Sequence, residues 1–67
     1  MKISLNGKEK EIQDGISITQ LLKEESVKMP EMVSVEHNNE MLDRSQFEST
    51  IIKENDQIEF LYFMGGG

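Results

Sequence analysis

The residues best suited to chemistry stand at the end of the chain, Gly65-Gly66-Gly67. Backbone without Cβ atoms can pass through a narrow channel, approach a partner closely and take strained φ/ψ values. A carboxylate that follows it is a poor electrophile and reacts as an acyl donor only after activation. Ordering such a tail costs about 1–2 kcal/mol per residue, which contacts elsewhere must offset. The same three residues also fit an inert frayed end. What separates the two readings is the set of elements that precede the tail.

Nothing else in the chain gathers into a catalytic group. His37 is the single histidine and there is no cysteine, which rules out a thiolate nucleophile, a disulfide framework and a thiolate zinc site. A histidine without such company, at the end of a strand, reads as a surface residue. No metal site is expected. Glu24 and Glu25 are adjacent on a helix and so do not face each other. The carboxylates from Glu54 to Asp56 read as a solvated turn. Lysine and arginine are scattered, and no glycine-rich loop opens a helix. The chain therefore shows no nucleotide-binding motif, and no cofactor is expected to be bound by the chain itself. Of the methionines, Met32 and Met41 read as core filling.

With 67 residues the chain makes one domain, which buries only about 60% of the surface its unfolded form exposes. It holds one core and hardly a deep pocket as well, so a self-sufficient enzyme is not expected. The net charge is -6, which disfavours nucleic acid and favours steering toward a basic protein. The longest apolar run, Phe60 to Met64, is far short of the roughly 20 residues of a membrane span. The start of the chain carries no apolar stretch of signal-peptide type. Together with the missing cysteines, this points to the cytoplasm.

The pattern along the chain alternates between two periods. Ile3 and Leu5 share one face of a strand, Asn6-Gly7 suits a type I′ turn, and a second strand runs through about Lys8 to Gln13 with Ile12 as anchor. After Asp14-Gly15, Ser17 and Gln20 make a capping box, with Ile16 and Leu21 at the spacing of a hydrophobic staple. Ile18, Leu21 and Leu22 form the apolar stripe of that helix, which should end near Ser26 to Lys28, before Pro30. Met32 to His37 alternates as a third strand, Asn38-Asn39 turns, and Glu40 to Leu42 pairs back. Asp43 caps a brief helical turn with Phe47 packed inward, Ile51 and Ile52 look buried, and a last strand begins at Gln57. This order predicts an α+β fold in which a mixed sheet of four to five strands packs on one main helix, the β-grasp (ubiquitin-like) arrangement. A domain over residues 1–64 and a flexible glycine tail over residues 65–67 follow.

The chain resembles the thiamine-biosynthesis sulfur carriers, the ubiquitin-like family called ThiS, within the wider ThiS/MoaD-like superfamily. The resemblance is carried by Ile3-Ser4-Leu5-Asn6-Gly7, Ile16-Ser17-Ile18-Thr19-Gln20-Leu21-Leu22 and Val33-Ser34-Val35-Glu36-His37-Asn38. It continues through Asp43-Arg44-Ser45-Gln46-Phe47 and Asn55-Asp56-Gln57-Ile58 to Gly66-Gly67. It implies that the Gly67 carboxylate is the reacting group, with Gly65 and Gly66 threading it into the partner. An E1-like, ThiF-like adenylyltransferase would activate it with ATP and Mg²⁺ and replace AMP by sulfur. The resulting thiocarboxylate would serve a ThiG-like thiazole synthase or another acceptor enzyme. The chain would then be a protein co-substrate and not an enzyme.

On the last strand, Ile58, Phe60 and Tyr62 share one face, while Gln57, Glu59, Leu61 and Phe63 share the other. Gln57 and Glu59 mark the second face as the one toward water, which leaves Leu61 and Phe63, with Met64, as an exposed apolar patch beside the tail. Such a patch suits docking of the activating enzyme. Two other classes of function fit the same pattern: a sulfur carrier for molybdopterin or amino-acid biosynthesis, and a ubiquitin-like interaction or modifier module.

Overall fold

The structure, a computed structural model, describes residues 1–62. Strands β1 (Lys2–Leu5) and β2 (Lys8–Glu11) form a hairpin. Helix α1 (Ile18–Glu24) follows, then β3 (Val33–His37), β4 (Glu40–Met41) and β5 (Gln57–Tyr62). They make one five-stranded sheet in the order β2-β1-β5-β3-β4. The central pair β1 and β5 is parallel and its flanking pairs are antiparallel, as the β-grasp arrangement requires.

Both tight turns have the backbone their residues favour. Asn6 and Gly7 sit at φ 53° and 81°, Asn38 and Asn39 at 53° and 71°. Each pair links two strands through a two-residue loop, where positive φ at both positions matches the twist of the ladder. The helix start also follows the sequence. The Gln20 amide donates to Ser17 Oγ and the Ser17 amide donates to Gln20 Oε1, both at 3.2 Å. Ile16 and Leu21, 4% and 0% exposed, complete the staple. The helix ends at a non-glycine αL residue, Ser26 at φ 58°. The Ser26 amide donates to the Lys23 carbonyl and the Val27 amide to the Leu22 carbonyl, which is the Schellman arrangement.

One core fills the space between helix and sheet. Ile18, Leu21 and Leu22 pack with Ile3, Leu5, Val33, Val35, Ile58 and Phe60 from the sheet, and Ile12, Ile16, Phe47 and Ile52 close its ends. Between α1 and β3 a 3₁₀ turn at Pro30–Met32, which the sequence did not signal, is held by Arg44. This guanidinium donates to the carbonyls of Pro30, Glu31 and Val33 and lies over the Phe47 ring.

Several expectations are corrected. Ile52 is buried but Ile51 is exposed, because consecutive extended residues face opposite ways and Ile52 is the one drawn in, its amide donating to the Ile16 carbonyl. Met32 and Met41 are exposed and do not fill the core. Met32 ends the 3₁₀ turn, and Met41 lies on edge strand β4 opposite Glu36, on the face away from the helix. Tyr62 has the parity of the buried Ile58 and Phe60 yet is exposed, since it forms the last pair of the β3–β5 ladder, opposite Val33. Asp56, expected in a solvated turn, is 9% exposed and His37 is bonded to it.

Candidate functional site

The tail follows from β5, the central strand of the sheet. β5 is fixed on both sides. It pairs with β3 over five residue pairs, Val33↔Tyr62 to His37↔Ile58, and with β1 at Ser4↔Gln57 and Leu5↔Ile58. The side chain of Asn6 extends the second contact, with the Phe60 amide donating to Asn6 Oδ1 at 2.8 Å. The strand that leads to the tail is thus anchored by backbone pairing and by one turn residue already required for its positive φ.

The start of β5 carries a polar lock. Asp56 Oδ2 lies 2.8 Å from His37 Nε2 and accepts from the Lys53 amide at 2.9 Å. Asp56 Oδ1 accepts from the Asn38 side-chain amide at 3.1 Å, and Asn38 Oδ1 accepts in turn from the Gln57 amide. Burial pushes the Asp56 carboxyl up. The hydrogen bonds from His37, Lys53 and Asn38 outweigh that and hold it below the usual carboxylate range. The cluster joins the β3–β4 turn to the turn before β5. It is satisfied internally and sits at the end of β5 remote from the tail, so it positions a strand and offers no free acid or base.

Of the expected docking patch, Leu61 is described and is exposed, 41%, on the outward face as its parity predicts. Phe63 and Met64 lie outside the described residues, as do Gly65, Gly66 and Gly67. Around Leu61 the outward face carries Ser34 directly across the ladder, then the pair Glu36 and Glu59, then Met41 beside Glu36. A recess of about 340 Å³ opens beyond, lined by Ser34, Met41, Leu42, Asp43, Arg44 and Phe47. Its charged groups are already engaged. Arg44 holds the Pro30–Met32 turn, and Asp43 caps the turn Arg44–Gln46 by accepting from Ser45, whose hydrogen bonds hold its carboxyl low. Among the described residues no three histidines, cysteines or carboxylates converge on a metal position. No described helix is long and apolar enough to cross a membrane.

Sequence reasoning missed the Asp56–His37 pair. Its signal was present only jointly: His37 ends one strand and Asp56 directly precedes another, and the two meet once β3 and β5 are known to be neighbours.

The comparisons with known proteins agree with this geometry. A crystal structure of the thiamine biosynthesis protein ThiS from Geobacter metallireducens matches with a TM-score of 0.89 at 42% identity, over 100% of both chains. A solution structure of a thiamine biosynthesis protein from the same organism matches at 0.82, covering 88% of that chain. Two proteins named thiazole synthase match along this whole chain, from Magnetococcus marinus at 37% identity and from Paramagnetospirillum magneticum at 31%. The chain spans 20% of the length of each of these curated relatives. The model of the ThiS family matches residues 3–67, so this chain, with its β-grasp sheet and its glycines, belongs to the ThiS family.

Proposed function

We propose that this protein carries sulfur for thiazole formation in thiamine biosynthesis as a thiocarboxylate on Gly67. The observation that supports this most directly is the family match that runs through the glycines to residue 67. In this reading an E1-like, ThiF-like enzyme joins the Gly67 carboxylate to AMP from ATP, with Mg²⁺, and releases pyrophosphate. The terminal sulfur of a persulfide then displaces AMP to give an acyl disulfide, and a thiol cleaves its S–S bond, being oxidised to a disulfide as the thiocarboxylate is left on Gly67. A thiazole synthase is the acceptor, in keeping with the two relatives that bear that name. The chain supplies no catalytic group. It supplies a rigid strand that presents the tail, glycines that thread, and a face with Leu61 by which the enzyme holds the domain while Gly67 reacts. Phe63 and Met64 extend that face in this reading.

Intact-mass spectrometry of protein treated with the cognate adenylating enzyme, ATP and a sulfur donor tests the reading. A gain of about 16 Da, sulfur for oxygen, mapped to Gly67 and lost when residues 65–67 are deleted, is the expected result. An unchanged mass under these conditions refutes it. An isopeptide bond to a lysine would instead identify a modifier, and a function that survives removal of the glycines a binding module.

A further inference from the structure

The parallel ladder between β1 and β5 ends on a side chain. The Ser4 amide donates to the Asp56 carbonyl and the Asn6 amide to the Ile58 carbonyl, both at 2.9 Å. The next bond of such a ladder would run from the Phe60 amide to the Asn6 backbone carbonyl. Asn6 is already in the tight turn, at φ 53°, and its side-chain carbonyl takes that place, accepting from the Phe60 amide at 2.8 Å. Asparagine meets both demands of the position. It tolerates the left-handed backbone, and its amide oxygen reaches β5.

The same residue is the one asparagine that precedes a glycine; Asn38, Asn39 and Asn55 are followed by Asn39, Glu40 and Asp56. The side-chain amide carbon of an asparagine can be attacked by the backbone nitrogen of the residue after it. The new C–N bond closes a five-membered imide, the attacking nitrogen gives up its proton, and the side-chain nitrogen leaves as ammonia. Water then opens the ring at one of its two carbonyls, giving aspartate or isoaspartate. No other reactant is needed, and nothing is oxidised or reduced. A side chain on the attacking residue crowds this nitrogen, and glycine has none. Asn6 and Gly7 are both exposed, and a Cβ on Gly7 would meet nothing within 4 Å beyond its chain neighbours, so water has open access.

We infer that Asn6 is the chain's site of spontaneous deamidation and that its hydrogen bond from Phe60 gates the reaction. In the fold Asn6 is held to β5 at two points, its amide on Ile58 and its Oδ1 on Phe60. Ring closure requires the side-chain carbon to swing onto the Gly7 nitrogen and the peptide between them to leave its turn conformation, which breaks the bond to Phe60. The reaction therefore runs through a local opening of the turn from β5. Its two products differ. Aspartate keeps an acceptor for the Phe60 amide. Isoaspartate routes the main chain through the former side-chain carbonyl, which lengthens the turn by one backbone atom and removes that acceptor. The second product thus unfastens the β1–β2 turn from the strand that leads to residues 63–67. The inference stands independently of the sulfur-carrier reading, and its test needs only the chain itself.

The test incubates the full chain in mildly alkaline buffer over a series of urea concentrations and follows its mass by peptide mapping. Deamidation adds about 1 Da, OH for NH₂, whereas imide formation and reopening at Asp14-Gly15 adds none. The gain should appear first on the peptide that holds Asn6, ahead of Asn38. It should be at least roughly tenfold slower in the fold than in concentrated urea. As urea rises, its rate should increase in step with deuterium exchange at the Phe60 amide. Fragmentation that separates the two linkages should find isoaspartate, and the isoaspartyl chain should melt below both wild type and Asn6→Asp, which keeps the acceptor. Equal rates in the fold and in urea, or a rate that does not follow Phe60 exchange, would overturn the gate. A gain that starts at Asn38, or none at Asn6 even in urea, would overturn the site. An isoaspartyl chain that melts with wild type would overturn the consequence for β5.

Discussion

Replacing Asp56 by Ala removes the acceptor for three donors at once: His37, the Asn38 amide and the Lys53 backbone N–H. The Lys53 hydrogen bond to a charged oxygen is worth about 1.5–3 kcal/mol. His37 and Asn38 lie nearer water and recover part of their loss, about 0.5–1 kcal/mol each remaining. The carboxylate's own burial cost, the largest opposing effect on its acidity, is returned by the substitution. The net loss is therefore about 3 kcal/mol, and at about 4–8 °C per kcal/mol for so small a domain the midpoint falls by about 12–24 °C. Asp56→Asn keeps the size and one acceptor and should lose about half as much. Because the folded carboxyl titrates below its ordinary 3.8, its charge stabilises the fold above that pH. The contribution disappears as pH falls through the lower folded value. The gap between wild type and Asp56→Asn, measured by urea unfolding, should thus be full at neutral pH and close toward about pH 2. A loss below about 1 kcal/mol for Asp56→Ala, or a gap that is the same at both pH values, would refute this account of the lock.

Two further substitutions test the local structure by thermal and urea melts. Ser26→Gly relieves an L-residue held at φ 58° in the helix C-terminal motif; the left-handed conformation costs about 1–2 kcal/mol, and a larger unfolded-state entropy of about 0.4–1 kcal/mol opposes the relief, so the variant should gain roughly 0.5–1 kcal/mol. Arg44→Ala removes three hydrogen bonds to the Pro30, Glu31 and Val33 carbonyls and should cost about 1–2 kcal/mol given their exposure. Arg44→Lys should rescue little of it, since a point charge cannot span three acceptors as the planar guanidinium does.

What the sequence made legible was what local chemistry determines. The capping box at Ser17 and Gln20, the paired αL residues of the two tight turns, and the period-two faces of β1, β3 and β5 each need only a few adjacent residues. All appear where their residue types put them. The misreadings share another cause. Met32, Met41, Ile51 and Tyr62 are apolar residues whose burial depends on whether a further element covers their side, and each sits at an edge, in a turn, beside a buried neighbour drawn in instead, or at the last pair of a ladder, and each is exposed. Asp56 and His37 are polar residues that come together only through the adjacency of β3 and β5, a matter of strand order that periodicity does not fix. At the candidate site, Leu61 was legible because it follows the alternation of β5, whereas the opposed Glu36 and Glu59 required the register.

The same register bears on how a partner can approach. A five-stranded open sheet offers two edges, and an extended segment can add to an exposed edge. Here one edge is β2, Lys8-Glu9-Lys10-Glu11, charged at every position. Lys8 and Lys10 stand opposite Leu5 and Ile3, on the core side of the sheet, and Lys10 reaches Glu25 of the helix flank at 3.0 Å. A chain added beside β2 would bury these charges against its own side chains, a device that blocks edge pairing. The other edge, β4, has two residues and gives an incoming strand too few hydrogen bonds to hold. With both edges closed to strand addition and one face given to the core, the face that bears Leu61, Met41 and the two opposed carboxylates is the part of the sheet left open. Its register ties it to β5, so a protein that grips this face also fixes where the chain beyond Tyr62 begins.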